Sequence, residues 1–177
     1  MLSGFSQGRL LSLFSSLLKC RCILEIGTFT GYGSLCLAEG LSAEGRLITL
    51  EKNSQYAETA RYWFSQSGVQ KKIQLLEGNA SDLLEKLSEI WDLVYLDADK
   101  ASNRDYLQRV WPNLRKGGMV FIDNVFARGG IFKPSEEQRN FERAVSRLNE
   151  ELPSLFADAE VFVLPLRDGL SILRKNS

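Results

Sequence analysis

The 177-residue chain contains no histidine, which removes the commonest general base and the commonest transition-metal ligand together. Any proton transfer must fall to carboxylate, lysine, tyrosine, serine or cysteine side chains. Cysteine is scarce: there are three, Cys20, Cys22 and Cys36. The spacing of the first two is too tight for the usual zinc pairing, and no second ligand pair follows. Reduced thiols and a cytoplasmic protein are expected. Neither charge is in surplus, since 22 Lys and Arg balance 22 Asp and Glu. No basic excess exists to displace counterions from a long nucleic-acid footprint, so a small or neutral ligand is favoured. Long apolar runs are also missing. The stretch from Leu10 to Leu18 after Arg9 is broken by Lys19 and followed by no small-residue cleavage site, so neither a secretory leader nor a membrane partner is expected.

What remains is ordinary globular composition, 44% hydrophobic and 25% charged, over a length that suits one domain spanning 1–177. No internal repeat, low-complexity tract or linker divides it. Leu10, Leu11, Phe14, Leu17 and Leu18 lie at helical spacing, and Cys22 to Ile26 is a short apolar run ending at Gly27, as a buried strand would. Helix from Tyr32 to Leu41, strand from Arg46 to Leu50 and helix from Ser54 to Ser67 follow. Ile73–Leu76, Leu93–Leu96 and Met119–Ile122 repeat the apolar run, with helices over Asp82 to Leu87 and Arg104 to Asn113 between them. Five strands alternating with helices predict an α/β fold with a doubly wound parallel sheet. After Pro134, Ser135-Glu-Glu-Gln138 reads as a capping box opening a helix to about Leu152. Val161–Leu164 and Leu170–Leu173 then flank Arg167-Asp168-Gly169, a C-terminal antiparallel hairpin.

In such a sheet, ligands bind beyond the carboxyl ends of the strands. After the first strand stands Glu25-Ile-Gly27-Thr-Phe-Thr-Gly31-Tyr32-Gly33. Its glycines do not fit the G-x-G-x-x-G of a dinucleotide site and suit a wider loop around an amino-acid tail and a ribose. Glu51, directly after the second strand, can accept hydrogen bonds from both ribose hydroxyls of a nucleoside. The third strand ends in Glu77-Gly78-Asn79-Ala80, where small Ala80 gives an adenine ring room to lie flat. Each feature also has a plain structural reading: any strand-to-helix turn favours glycine, Gly-Asn is ordinary turn chemistry, and Glu51 alone is a loop acid. The fourth strand is followed by Asp97-Ala-Asp99-Lys100 and the fifth by Asp123-Asn124. Asp97, Asp123 and Asn124 form an oxygen-only donor set that favours magnesium, manganese or calcium. Here the alternatives are a turn cap at Asp123-Asn124 and a solvated lysine at Lys100.

Ile23-Leu-Glu-Ile-Gly-Thr-Phe-Thr-Gly-Tyr32, Leu96-Asp-Ala-Asp-Lys100, Gly117-Gly118 through Asp123-Asn124, and Leu164-Pro-Leu-Arg-Asp-Gly-Leu170 together resemble the cation-dependent class I O-methyltransferases of the caffeoyl-CoA and catechol type. The resemblance runs from about Gly8 to Lys175. It implies a Rossmann-like methyltransferase sheet that binds S-adenosylmethionine at Glu25, Gly27, Tyr32, Gly33, Glu51, Ala80 and Asp99. It also implies a divalent cation on Asp97, Asp123 and Asn124, Lys100 as general base, a small catechol-like hydroxyl acceptor and a homodimer. Relatives extend to enzymes that methylate a hydroxylated uridine in tRNA, an acceptor that zero net charge disfavours. A non-catalytic nucleoside-binding regulator would keep the loop and dispense with the metal set.

Three departures from the family pattern stand out. Gly33 replaces a serine, with Ser34 beside it to take over a cofactor hydrogen bond. Ala127 replaces a tryptophan, leaving Phe126 or Arg128 to shape the acceptor pocket. Relatives carry a further helical segment before the Ser3 to Gly8 region, so the start of this sequence is expected to be a truncation or a misassigned start codon.

Overall fold

The computed structural model describes residues 4–176; Met1 to Ser3 and Ser177, at the ends of the expected domain, lie outside the described residues. Seven strands form one sheet: β1 Cys22–Ile26, β2 Arg46–Glu51, β3 Ile73–Glu77, β4 Trp91–Leu96, β5 Leu114–Asp123, β6 Ala159–Leu164 and β7 Leu170–Lys175. Their order is β3-β2-β1-β4-β5-β7-β6. The first five run parallel, and β7 and β6 pair antiparallel at the far edge. The helices are α1 Phe5–Leu17, α2 Tyr32–Glu39, α3 Ser54–Ser65, α4 Ala80–Leu84, α5 Asn103–Val110 and α6 Asn140–Leu155.

Strand periodicity divides the core in two, because successive side chains point to opposite faces. Leu24, Ile26, Val94, Leu96, Val120 and Ile122 pack with Leu107 and Val110 of α5 and Leu148 and Leu152 of α6. Their neighbours Ile23, Leu93, Tyr95 and Phe121 pack on the other face with Leu11 of α1 and Leu37 of α2. Strands buried on both sides carry apolar residues at nearly every position, which is why the short runs were readable. The strand order reverses between β1 and β4. The carboxyl ends of these strands therefore border a crevice in which a ligand is not obstructed by a crossing connection.

Helix α4 opens at Ala80 rather than Asp82 and α5 at Asn103 rather than Arg104, and the first and last helices differ from expectation more widely. The first begins at Phe5, because Gln7 and Gly8 are buried against the fold although neither is apolar. The last does not open at Ser135. Residues Ser135–Glu137 form a 3₁₀ turn, and Gln138 is extended. The Gln138 amide donates to the carbonyls of Ile131 and Lys133, at 3.4 and 3.0 Å, tying down the preceding loop. Helix α6 starts at Asn140 instead, where the Glu142 carboxylate accepts the Arg139 backbone N–H at 2.6 Å. The capping box expected at Ser135 and Gln138 does not form; one forms a turn later, at Arg139 and Glu142.

Candidate functional site

A cavity of about 290 Å³ opens at the carboxyl ends of β1 to β4, with Gly27, Glu51, Ala80, Asp97 and Asp99 on its wall. Gly27 has φ of +103°, and a Cβ there would collide with the Asp97 carbonyl oxygen. Only glycine lets the turns after β1 and β4 lie backbone against backbone. Glu51 is 8% exposed. Its oxygens accept the backbone N–H groups of Phe29 at 2.8 Å and Asn53 at 2.9 Å, which fixes the carboxylate while leaving further lone pairs. Asp99 accepts the Ser102 hydroxyl at 2.9 Å. Ala80 opens α4 behind Asn79, whose side chain accepts the Ser81 N–H at 2.9 Å.

Glu25, Tyr32 and Gly33 are not on that wall. Glu25 is 1% exposed and accepts hydroxyl protons from Ser34 and, at 2.6 Å, from Thr49. Burial pushes its carboxyl up to about 8 against the lowering effect of those two donors. Gly33 backs onto the same carboxylate, since a Cβ there would lie 2.6 Å from Glu25 Oε1. Ser34 is fully buried on Glu25, so its hydroxyl is directed inward. Tyr32 opens α2 and packs against the core cluster that includes Leu11.

A second cavity of about 340 Å³ is lined by Lys100, Asn124, Ala127, Arg128, Arg139, Phe141 and Asp168. Asp97 faces the first cavity and Lys100 the second, and a 3.0 Å ion pair joins them. Burial raises the Asp97 carboxyl, Lys100 opposes that, and the Asp123 charge adds to it. Two carboxylates are thus close enough to repel, at the ends of adjacent strands. Asn124 is left-handed at φ of 58°, followed by Ala127 at 48°, Arg128 at 54° and Gly129 at 80°. This strained loop is clamped by the β6–β7 turn. Val125 and Phe126 donate to the carbonyls of Gly169 and Asp168, at 3.2 and 2.9 Å, and the Arg128 N–H donates to Asp168 Oδ1 at 2.7 Å. Strain held by surrounding contacts is typical of functional loops. Arg128 reaches the cavity, whereas Phe126 packs under Gly169 and beside Phe132.

Among the described residues no trio of His, Cys, Asp and Glu side chains is grouped as a metal site. The third donor of the expected set is the Asn124 amide.

The O-methyltransferase family model matches residues 1–176. The chain belongs to the O-methyltransferase family. It is 37% identical over 132 residues to a catechol O-methyltransferase of Mycobacterium tuberculosis, covering 74% of this chain and 60% of that protein. It is 34% identical over 176 residues to catechol O-methyltransferase domain-containing protein 1 of Mus musculus, covering 96% of this chain and 66% of the relative. The chain therefore spans less than two thirds of both curated relatives. Among solved structures it resembles the O-methyltransferase TomG of Streptomyces achromogenes in complex with S-adenosylmethionine. That match has a TM-score of 0.92 and 30% identity over 99% of this chain and 82% of TomG.

Within this O-methyltransferase fold, sequence reasoning missed several residues at the site. Phe29 has φ of 51° and stacks edge to face on Tyr56 of α3 at 4.6 Å, both on the first cavity. The aromatic in the glycine loop was a signal that could have been read. Gln7 and Tyr95, which both bond Asp123, gave none, because one precedes the apolar stripe of α1 and the other lies inside a strand.

Proposed function

We propose that this chain transfers the methyl group of S-adenosylmethionine to a hydroxyl of a small catechol-like acceptor, with a divalent cation held by Asp97, Asp123 and Asn124. The observation that carries this reading is the Asp97–Lys100 pair between two cavities, one bearing the ribose-type acid Glu51 and the other bearing Asn124. The donor set fits a hard cation: all three side chains offer oxygen, and the repulsion between Asp97 and Asp123 is the kind a divalent charge relieves. Such a cation supplies Lewis acidity to an acceptor hydroxyl and a template for a vicinal one.

The chain's own residues do the rest. Gly27 and the Phe29–Tyr56 pair shape the donor cavity, while Glu51 fixes the ribose and Asp99 lines the same cavity. Methyl transfer to oxygen is an in-line displacement: a C–O bond forms as the C–S bond breaks, and the hydroxyl proton must leave. Lys100 Nζ, once it has given up its own proton and stands as the neutral amine, takes that proton; it lines the acceptor cavity beside Asp97. Arg128 and Arg139 border the acceptor space. We read tRNA as the weaker acceptor because formal net charge is zero, and we place the protein in the cytoplasm as a homodimer, which sedimentation would check.

Methyl transfer to vicinal diols and to bulk tRNA, with magnesium or manganese added or chelated, tests the reading. Turnover on a catechol that stops on chelation supports it. Full turnover after chelation and dialysis sinks the cation, and cofactor binding with no turnover on any acceptor points to the regulator.

A further inference from the structure

Gln7 lies in the first turn of α1 and is 2% exposed. Its side chain reaches the carboxyl end of β5. Nε2 donates to Asp123 Oδ2 at 2.7 Å and to the Tyr95 hydroxyl at 2.9 Å, and that hydroxyl donates to the same Oδ2 at 2.8 Å. The ring has a defined direction, because an ionised carboxylate only accepts and both neighbours must donate to it. Oδ2 thus takes two hydrogen bonds. Oδ1 takes one among the described residues, from the Asn124 N–H at 2.7 Å, and keeps a free lone pair.

A buried primary amide is unfavourable unless its donors are met, and here a carboxylate and a phenol meet them. Packing alone would be served by methionine or leucine at this position. The helix that carries Gln7 is itself pinned. A Cβ on Gly8 would lie 2.7 Å from the Tyr32 hydroxyl and 2.8 Å from Cys36 Sγ, so α1 is pressed against α2 at this turn.

We propose that Gln7 is a positioning residue: with Tyr95 it locks the rotation of the Asp123 carboxylate so that Oδ1 is the oxygen presented to a divalent cation. The inference rests on the cation reading above. Groups that orient metal ligands typically alter metal affinity about 10–100-fold when removed.

The test is a Mn²⁺ titration of the whole chain, followed by the electron paramagnetic resonance signal of free Mn²⁺, for the wild type and for Gln7→Met, Gln7→Glu and Tyr95→Phe. Melting and S-adenosylmethionine calorimetry run beside it. Gln7→Met should weaken Mn²⁺ binding about 10–100-fold with cofactor affinity unchanged. Gln7→Glu, which sets a carboxylate against Asp123, should weaken it further. Glutamate is the closer match to glutamine in shape, so a packing role alone gives the opposite order. Equal Mn²⁺ affinity in the wild type and both Gln7 variants overturns the proposal. If the Gln7 variants do not fold, Tyr95→Phe decides it: weaker Mn²⁺ binding supports the ring and wild-type affinity overturns it. A wild type that binds the cofactor and takes up no Mn²⁺ overturns the cation reading itself, and this inference with it.

Discussion

Among the described residues Lys100 is the one amine on the second cavity, and it is held 3.0 Å from Asp97, so its contribution should fall on the chemical step. Lys100→Ala is expected to lower kcat by about 10²–10⁴ while leaving KM for both substrates nearly unchanged. The deficit should narrow as pH rises, because an acceptor hydroxyl that ionises unaided no longer needs the amine; wild-type kcat in the variant at neutral pH would rule the role out. Glu51 tests the other cavity. Its carboxylate is fixed by two backbone N–H groups, and Glu51→Ala should weaken S-adenosylmethionine binding by at least the roughly tenfold that one lost charged hydrogen bond implies, as calorimetry would show. Both residues were candidates in the sequence because Glu51 stands at the end of β2 and Lys100 in the turn that follows β4. Glu25, named beside them, sits behind the site, where Ser34 and Thr49 enclose it. Which face of a strand a polar residue takes depends on partners from other strands, and no local pattern encodes them.

At the scale of elements, the loop after β5 depends on the turn between β6 and β7. Gly169 has φ of +80°, and a Cβ there would lie 2.8 Å from the Phe126 ring. Gly169→Ala should cost about 1–2 kcal/mol from the left-handed backbone alone, and so lower the melting temperature by about 2–8 °C. Because Asn124 and Arg128 ride on that loop, activity should fall further than stability accounts for; a variant with lowered melting temperature and intact kcat would show the clamp to be structural only. Strand runs and the Asp-Gly turn were readable from periodicity and turn chemistry. The start of α6 was not, since Gln138 is drawn into the loop by Ile131 and Lys133, contacts no capping pattern reports.

Across the whole molecule, two buried acids shift in opposite directions. Glu142 is pulled down to about 2, first by the Arg139 side chain and then by its backbone N–H. It stabilises the fold above its ordinary value and ceases to do so as pH falls toward 2. Glu25 is raised to about 8 by burial. Its folded form holds the proton more tightly, so that contribution is complete below its ordinary value and is lost as pH rises through about 8. Melting temperature should therefore decline between pH 5 and 9, and Glu25→Gln should flatten that decline. An unchanged slope in the variant would assign the decline to other groups.

The tie between Gln7 and Asp123 joins residues 116 apart in the chain. During synthesis α1 can settle on α2 as soon as both have emerged. Counted from its own synthesis, the glutamine waits for the fifth strand, at ordinary translation rates for roughly 6 to 23 seconds. Until then the amide lacks its carboxylate, although the phenol of Tyr95 has already been made with β4. The first helix to be made is thus among the last to be finished, and every residue that lines the first cavity is made before the acid at the end of β5.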